Sequence, residues 1–263
     1  MPHAFADIFR VAWPVIGMLH VPPLPGSPGF SANLESIRSQ VLRDLEALQA
    51  GGAHGVMLEN FGDVPFYPTS VPCHVVATMT ALAAEVRRKA DIPMGINVLR
   101  NDGRAALAIA HAVGAQFIRV NVLCGARVTD QGIVSGIAHD LLRDRAILRA
   151  DISILADVDV KHSAPLAARS LIDEVDDTLK RGLADALIVS GSGTGKRTNP
   201  THVQEVKVAA RSAPVLIGSG ADPTSIPEYL PFCNGFIVGT WIKSNGTVDA
   251  AKVRAVVKAA EGK

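Results

Sequence analysis

The chain has few features of a secreted, membrane-spanning or nucleic-acid-binding protein. Three cysteines occur among its 263 residues, far apart in the sequence, so neither a disulfide framework nor a zinc site is indicated. Aromatic residues make up 5% of the chain, and 26 basic residues nearly balance 25 acidic ones. That balance provides neither the positive surface nor the stacking platforms of a nucleic-acid-binding protein. No apolar run approaches the length of a transmembrane helix.

The amino terminus lacks the basic region and uninterrupted apolar stretch of a signal peptide. We therefore expect a cytoplasmic protein with reduced thiols. The sequence leaves peripheral membrane association and assembly into homo-oligomers open. Apolar residues, in contrast, are abundant at 48%, with 23 glycines and 16 prolines. This composition can build one full core, and we expect a single domain over residues 1–263.

After a polar opening segment, short apolar runs alternate with helical patterns. The predicted strands cover residues 15–20, 55–60, 93–99, 117–123, 152–161 and 185–191, and two more end at Gly218 and Gly239. Crossovers of this length predict parallel strands with right-handed connections. Eight repeats favour a closed (β/α)8 TIM barrel over an open doubly wound sheet. An insertion at about 124–136, after the fourth strand, is predicted to be a small β-hairpin over the barrel mouth.

Polar side chains recur at late positions of the predicted strands. Because strand residues alternate between faces, Arg119 and Asn121 share one face, and Asp157, Asp159 and Lys161 share another. Their apolar neighbours suit contact with the helices, so the polar set is predicted to point into the upper barrel, where this fold places catalysis. The candidate catalytic residues are His20, Glu59, Asn97, Arg119, Asn121, Asp157, Asp159 and Lys161.

Part of this polar set must serve the structure, because buried charges need partners. The structural alternative is an ion-pair network of Asp157 or Asp159 with Lys161 and Arg119. In the functional alternative, Asp157 or Glu59 is the acid–base group, and Lys161 with Arg119 stabilises negative charge. Lys161 is either a Schiff-base amine or a fixed cation. We expect the neighbouring aspartates to raise its pKa and favour the cation.

The same acidic residues are candidates for a divalent-cation site. Glu59, Asp63 and Asp157, with Asp159 and His20 beside them, offer the ligands that suit Mg²⁺ or Mn²⁺. No His-x-His or similar spacing specifies a metal, so the sequence leaves open whether one is bound.

Small residues close the last two predicted strands, at Gly218-Ser219-Gly220 and Gly239-Thr240. Backbone N–H groups of small residues can converge on an anion, and the loops after strands 7 and 8 form the phosphate site of many barrels. Ordinary strand-ending turns are the alternative. The predicted phosphate-binding residues are Gly191, Ser192, Gly218, Ser219, Gly220, Gly239 and Thr240.

The glycine-rich loop Ser192–Asn199 follows the sixth predicted strand. With Gly191 it is superficially similar to a Walker A loop, but that motif requires Gly at the position of Ser190 and Ser or Thr at that of Arg197. The match therefore fails twice. We interpret the segment as a cationic loop that folds over a phosphorylated ligand, or as an ordinary mobile loop.

Five segments together resemble the BtpA family, which includes SgcQ-like proteins: IGMLHVPPLPGSP, GGAHGVMLENFGDVPF, INVLRND, FIRVNV and LADVDVKH. The resemblance runs from about Val15 to Lys258 and is most specific around Glu59–Asp63 and in the proline-rich loop after His20. It implies a barrel similar to the ribulose-phosphate-binding barrels. Some family members are implicated in photosystem I biogenesis at thylakoid membranes, and others occur in settings that suggest sugar or nucleoside catabolism.

Two functions follow from these observations. The first is an enzyme acting on a small phosphorylated ligand, a sugar phosphate or a nucleoside-derived phosphate, as an isomerase or epimerase, a lyase or a hydrolase. The second is a non-catalytic biogenesis or stability factor for a membrane complex such as photosystem I. The nucleoside triphosphatase activity predicted for some family members is disfavoured by the failed Walker match.

Overall fold

Eight parallel strands form a closed barrel in the computed structural model, which describes residues 5–31 and 33–262. The strands are β1 Val15–His20, β2 Gly55–Glu59, β3 Met94–Asn97, β4 Phe117–Val120, β5 Ser153–Val158, β6 Ala186–Val189, β7 Val215–Ile217 and β8 Phe236–Val238. Each strand is paired with its neighbours in chain order, and β8 closes onto β1. The predicted (β/α)8 barrel is confirmed.

The helices surround this barrel. They are α1 Leu34–Ala50, α2 Cys73–Lys89, α3 Gly103–Val113, α4 Ala138–Ile147, α5 Leu171–Asp176 with a π-helical extension Asp177–Arg181, α6 Pro200–Ala210, α7 Ile226–Tyr229 and α8 Ala250–Ala260. Side chains of Asn33 and Asp249 cap the first turns of α1 and α8 by accepting backbone N–H groups, which satisfies donors that the helix itself cannot pair. Between helices and strands lies the main apolar core.

A second apolar cluster fills the barrel interior, with Phe117 of β4 at its centre. A short helix, Phe5–Ile8, precedes β1 and packs into the amino end of the barrel. The Phe9 ring lies 5.0 Å from Phe5 and 5.6 Å from Phe117, measured between ring centroids. A Cβ at Gly95 would lie 2.1 Å from the Phe117 ring, so this position of β3 has room only for glycine. The amino end of the barrel is therefore closed by aromatic side chains.

The insertion after β4 contains two antiparallel strands, Ala126–Thr129 and Gly132–Ser135, as the sequence predicts. A third strand, Ser163–Pro165, joins them and was not predicted. The strand β5 ends at Val158 rather than near Lys161. A separate small hairpin pairs Lys243–Ser244 with Thr247–Val248. Within the described residues, no helix has the length and apolar character to cross a membrane.

Candidate functional site

A cleft of about 670 Å³, measured with its open mouth, lies at the carboxyl ends of the barrel strands. Late positions of parallel strands meet at this end of the barrel, which is why side chains distant in sequence share one cleft. Of the predicted catalytic residues, His20, Glu59, Arg119 and Lys161 line it. The predicted phosphate-binding residues in its lining are Gly218, Ser219, Gly220, Gly239 and Thr240.

Strand register brings His20, Glu59 and Asn97 together. His20 is paired with Glu59 across β1 and β2, and Glu59 with Asn97 across β2 and β3. Asn97 Nδ2 donates a hydrogen bond to Glu59 Oε2, while Glu59 Oε1 lies 3.6 Å from His20 Nε2. The His20 ring stacks on Phe61 at a centroid distance of 4.3 Å. The carboxylate is thus oriented by Asn97, with its second oxygen towards the imidazole.

His20 is neutral near physiological pH. Burial lowers the pKa of its imidazole well below 6.5, and the positive charges of Lys243, Lys161 and Arg119 lower it further. A Cβ at Gly239 would lie 2.9 Å from His20 Cε1, so glycine at this position leaves space for the ring. A neutral imidazole 3.6 Å from a carboxylate oxygen can exchange protons with a ligand.

The depressed pKa of His20 gives a pH-dependent stability with a defined sign. Below pH 6.5 the unfolded chain binds a proton at His20 that the folded protein does not, so the free energy of unfolding falls as pH falls towards the folded pKa. We expect His20→Gln to flatten this decline in urea denaturation between pH 7 and pH 5, values chosen to span the unperturbed pKa of about 6.5. His139→Gln is the control substitution, because the His139 side chain is exposed. An unchanged slope in His20→Gln would contradict the neutral assignment.

Arg119 and Asp157 form a buried, bidentate ion pair. Arg119 Nε and Nη2 donate to the two Asp157 oxygens at 2.8 and 2.7 Å, and the side chains are 2% and 0% exposed. Asn121 Nδ2 donates to the same carboxylate at 3.0 Å, and Ser190 Oγ at 3.4 Å. Because both of its oxygens are occupied, Asp157 is poorly placed as an acid–base group. The structural alternative holds for this pair, and Asn121 lines a neighbouring cavity instead of the cleft.

Lys161 presents its amine to the cleft without a partner. Its Nζ makes no hydrogen bond or ion pair with residues 5–31 or 33–262. Burial lowers the pKa of this amine and Arg119 lowers it further, against the opposite influence of Glu59 and Asp157. The predicted upward influence on the pKa of Lys161 is present, from Asp157 together with Glu59, but desolvation outweighs it and the net shift is downward.

The predicted metal ligands do not meet as one group in the described residues, although His20 and Glu59 are neighbours. Asp159 is 52% exposed and pairs with Arg127 of the insertion, so the structure does not bring it together with the predicted catalytic residues that line the cleft. Asp63 accepts hydrogen bonds from the Leu24 amide and Asn60 Nδ2, at 2.8 and 3.1 Å. In the described part of the chain, no three His, Cys, Asp or Glu side chains cluster as metal ligands. Glu59, Asp63 and Asp157 therefore do not belong to one such group of three in the described residues.

Four backbone amides at the ends of β7 and β8 are unused. The N–H groups of Ser219, Gly220, Gly239 and Thr240 make no hydrogen bond with any described residue. Gly220 has a φ of +66°, and a Cβ there would lie 2.3 Å from the Lys196 carbonyl oxygen, so both conformation and space require glycine.

The other predicted phosphate ligands are placed differently. The Gly218 N–H donates to the Val189 carbonyl at 2.7 Å, and the Gly191 N–H donates to Ser219 Oγ at 2.7 Å. Both amides are therefore unavailable to a ligand in this arrangement. Ser192 is exposed and lines a different groove. Thr194 and Gly195 represent the glycine-rich loop in the cleft lining.

Several residues near the cleft were not predicted. Trp241 lines the cleft directly, although the sequence favours a packing role for this tryptophan. Lys243 lies near enough to lower the pKa of His20. Phe61 supports the imidazole by stacking. The position of Trp241 and Lys243 just after the last strand was the available signal, because that loop belongs to the phosphate-binding end of such barrels.

Solved structures with the same fold include two enzymes. An orotidine 5'-phosphate decarboxylase from Pyrococcus horikoshii superposes with a TM-score of 0.59 at 12% identity, over 95% of this chain and 100% of the other. An N-(5'-phosphoribosyl)anthranilate isomerase from Pyrococcus furiosus gives a TM-score of 0.57 at 12% identity, with the same coverage of 95% and 100%. At this identity the likeness establishes the fold alone.

Sequence relatives are much closer than these structures. The Photosystem I biogenesis protein BtpA of Synechocystis sp. is 45% identical over 259 residues, which cover 97% of this chain and 90% of that protein. The family model described as BtpA family matches residues 11–262. This match covers all eight barrel strands and the cleft at their carboxyl ends. The chain therefore belongs to the BtpA family.

Proposed function

We propose that this protein is an enzyme that binds a small phosphorylated substrate in the cleft and transfers a proton within it. One observation carries the proposal: unused amides at the ends of β7 and β8 share a cleft with Glu59, His20 and the unpartnered amine of Lys161. An anion site beside an acid–base pair is the arrangement that chemistry on a sugar phosphate or nucleoside-derived phosphate requires.

The phosphate is assigned to the amides of Ser219, Gly220, Gly239 and Thr240. Converging N–H groups bind anions without a charged side chain, and these four have no other acceptor among the described residues. Both structural neighbours are named for phosphate-bearing compounds, orotidine 5'-phosphate and a phosphoribosyl anthranilate. Their likeness supports the placement by analogy of fold.

The proton chemistry is assigned to Glu59, His20 and Lys161. The Glu59 carboxylate accepts a proton from a carbon beside a carbonyl group, and the electron pair of that C–H bond forms a carbon–carbon double bond. Negative charge then develops on the carbonyl oxygen, where the Lys161 amine and an N–H of His20 stabilise it by hydrogen bonding. Return of the proton to another carbon or face gives an isomer or epimer. A lyase or hydrolase would use Glu59 in the same acid–base role.

Ligand-induced stabilisation tests the phosphate site. We expect inorganic phosphate and ribose 5-phosphate to raise the Tm by several degrees, because a ligand at 100 times its Kd adds about 2.7 kcal/mol to the free energy of unfolding. Gly220→Ala is expected to raise the Kd for phosphate at least tenfold, and so to reduce the Tm shift, because the added Cβ collides with the Lys196 carbonyl oxygen.

Gly52→Ala is the matched control for that substitution. Gly52 also has a positive φ, +83°, but a Cβ there meets no atom within 4 Å. It introduces backbone strain remote from the cleft and leaves phosphate affinity unchanged. If phosphate and ribose 5-phosphate both fail to stabilise the wild-type protein, the phosphate site is refuted.

A second candidate function is a non-catalytic factor for the assembly of a membrane complex. The name of the 45% identical Synechocystis relative, a photosystem I biogenesis protein, favours it. Such a factor would act through its outer surface, so substitutions in the cleft such as Glu59→Gln would leave its function intact. The enzyme proposal expects the opposite.

A further inference from the structure

Arg100, just beyond the end of β3, is a buried arginine without a carboxylate partner. Three arginines are buried in the described residues, and Arg119 and Arg127 are paired with acidic side chains. Arg100 is 4% exposed and forms no ion pair within residues 5–31 and 33–262. Its Nη2 donates to the Lys161 carbonyl at 2.6 Å, and its Nε has no hydrogen bond. A buried, unpaired guanidinium is strongly unfavourable unless an anion joins it.

The position of Arg100 separates it from the proposed phosphate site. In the barrel order, β3 lies four strands from β7, on the opposite side of the mouth. Arg100 holds the backbone of Lys161, whose side chain lines the cleft. The nearby carboxylates are already engaged, Asp157 by Arg119 and Glu59 by Asn97. Among residues 5–31 and 33–262, neither Arg100 nor Lys161 therefore has a carboxylate partner on this side.

Two acceptors at the same end of the barrel also lack donors. Asn97 Oδ1 and Asn121 Oδ1 are buried and make no hydrogen bond with the residues that the structure describes, and the two residues are 1% and 2% exposed. Both amide orientations are set by the carboxylates that accept from Nδ2, Glu59 and Asp157. Asn121 lines the neighbouring cavity, but Asn97 orients Glu59 in the cleft, so its free acceptor oxygen suits a hydroxyl of a bound ligand.

We infer that the substrate is a phosphorylated polyhydroxy compound with a second anionic group, which Arg100, buried behind Lys161, binds on the side of the cleft opposite the phosphate. This inference rests on the proposed phosphate site. The second anion is a carboxylate or another phosphate, and both satisfy a guanidinium through charge-assisted hydrogen bonds. Burial lowers the pKa of Arg100, and an anion there would reverse that destabilisation of its charge.

Matched ligand pairs test the second anion. 6-Phosphogluconate differs from the equally open-chain glucitol 6-phosphate by its terminal carboxylate, and ribulose 1,5-bisphosphate differs from ribulose 5-phosphate by a second phosphate. Calorimetric titration of the wild-type protein is expected to give the doubly anionic member of at least one pair a Kd about tenfold lower or better. The pair that shows the preference identifies the anion. Equal affinity within both pairs would overturn the inference.

The variants Arg100→Met and Arg100→Lys connect that preference to the guanidinium. Arg100→Met is expected to reduce the preference to about one while leaving the Kd for inorganic phosphate unchanged, and Arg100→Lys to retain only part of it. If Arg100→Met does not fold, Arg100→Lys and the wild-type comparison still decide. A preference undiminished in either folded variant would refute the role of Arg100. Failure of inorganic phosphate to bind the wild-type protein would instead refute the proposed phosphate site.

Discussion

Asp157→Ala is expected to lower the free energy of unfolding by about 3–5 kcal/mol, because it leaves the buried guanidinium of Arg119 without its counter-charge. The two side chains are 2% and 0% exposed and share two hydrogen bonds, so water cannot replace the lost carboxylate. Urea denaturation followed by circular dichroism measures the change. This is the largest stability effect that we expect from removing one charge.

An exposed ion pair provides the control for Asp157→Ala. Asp144 pairs with Arg104, whose side chain is 56% exposed. Asp144→Ala should therefore cost less than about 1 kcal/mol, since solvent screens such pairs. Similar losses for the two substitutions would show that burial does not set the energy of the Arg119–Asp157 pair.

Glu59→Gln is expected to slow proton exchange between a bound sugar phosphate and solvent by about 10²–10⁴-fold. The amide oxygen of glutamine can still accept the hydrogen bond from Asn97 Nδ2, so the fold and phosphate affinity should persist while the base is lost. Incorporation of deuterium from D₂O into ribulose 5-phosphate, followed by NMR, measures the exchange without requiring the natural substrate. The same deuterium exchange is measured with ribulose 1,5-bisphosphate, which carries two anionic groups.

Glu35→Gln on α1 is the control, because the Glu35 side chain is 69% exposed. It should exchange at the wild-type rate. Equal rates for Glu59→Gln and the wild type would remove Glu59 from the chemistry. Rescue of a strain lacking the gene by Glu59→Gln would favour the assembly-factor alternative, whereas failure to rescue, with the fold intact, would favour the enzyme.

The sequence predicts the barrel and the core of the site for the same physical reason. Parallel strands place their late residues at one end, so a polar residue that ends an apolar run is expected at the mouth. His20 and Glu59 satisfy this condition and are neighbours in register. The small residues after β7 and β8 follow the same logic, and five of the seven predicted phosphate-binding residues line the cleft.

Alternation fails where a strand ends earlier than its apolar pattern. Asp159 was assigned to the face of Asp157, but β5 ends at Val158 and Asp159 adopts a φ of +57°. Its side chain turns to Arg127, 32 residues earlier in the chain. The position of that arginine depends on the third strand of the insertion, which no local pattern predicts.

Charge environment was the least predictable property. The pKa of Lys161 depends on how deeply the amine is buried, and neighbours in sequence do not report burial. Arg100 lies in INVLRND, one of the segments by which the chain resembles the BtpA family. Its lack of an acidic partner among the described residues is visible only in three dimensions. The sequence likewise does not reveal that the Gly218 N–H already donates to the Val189 carbonyl and is unavailable to a ligand.

Because aromatic side chains close the amino end of the barrel, the cleft opens at the carboxyl end of the strands. Phe5, Phe9 and Phe117 fill the base of the barrel in the described residues, so a ligand leaves the cleft by the opening through which it entered, where Thr194 and Gly195 line the wall. Arrival and departure then meet the same obstruction. Product release through this opening would then limit the turnover rate whenever the chemical step is fast.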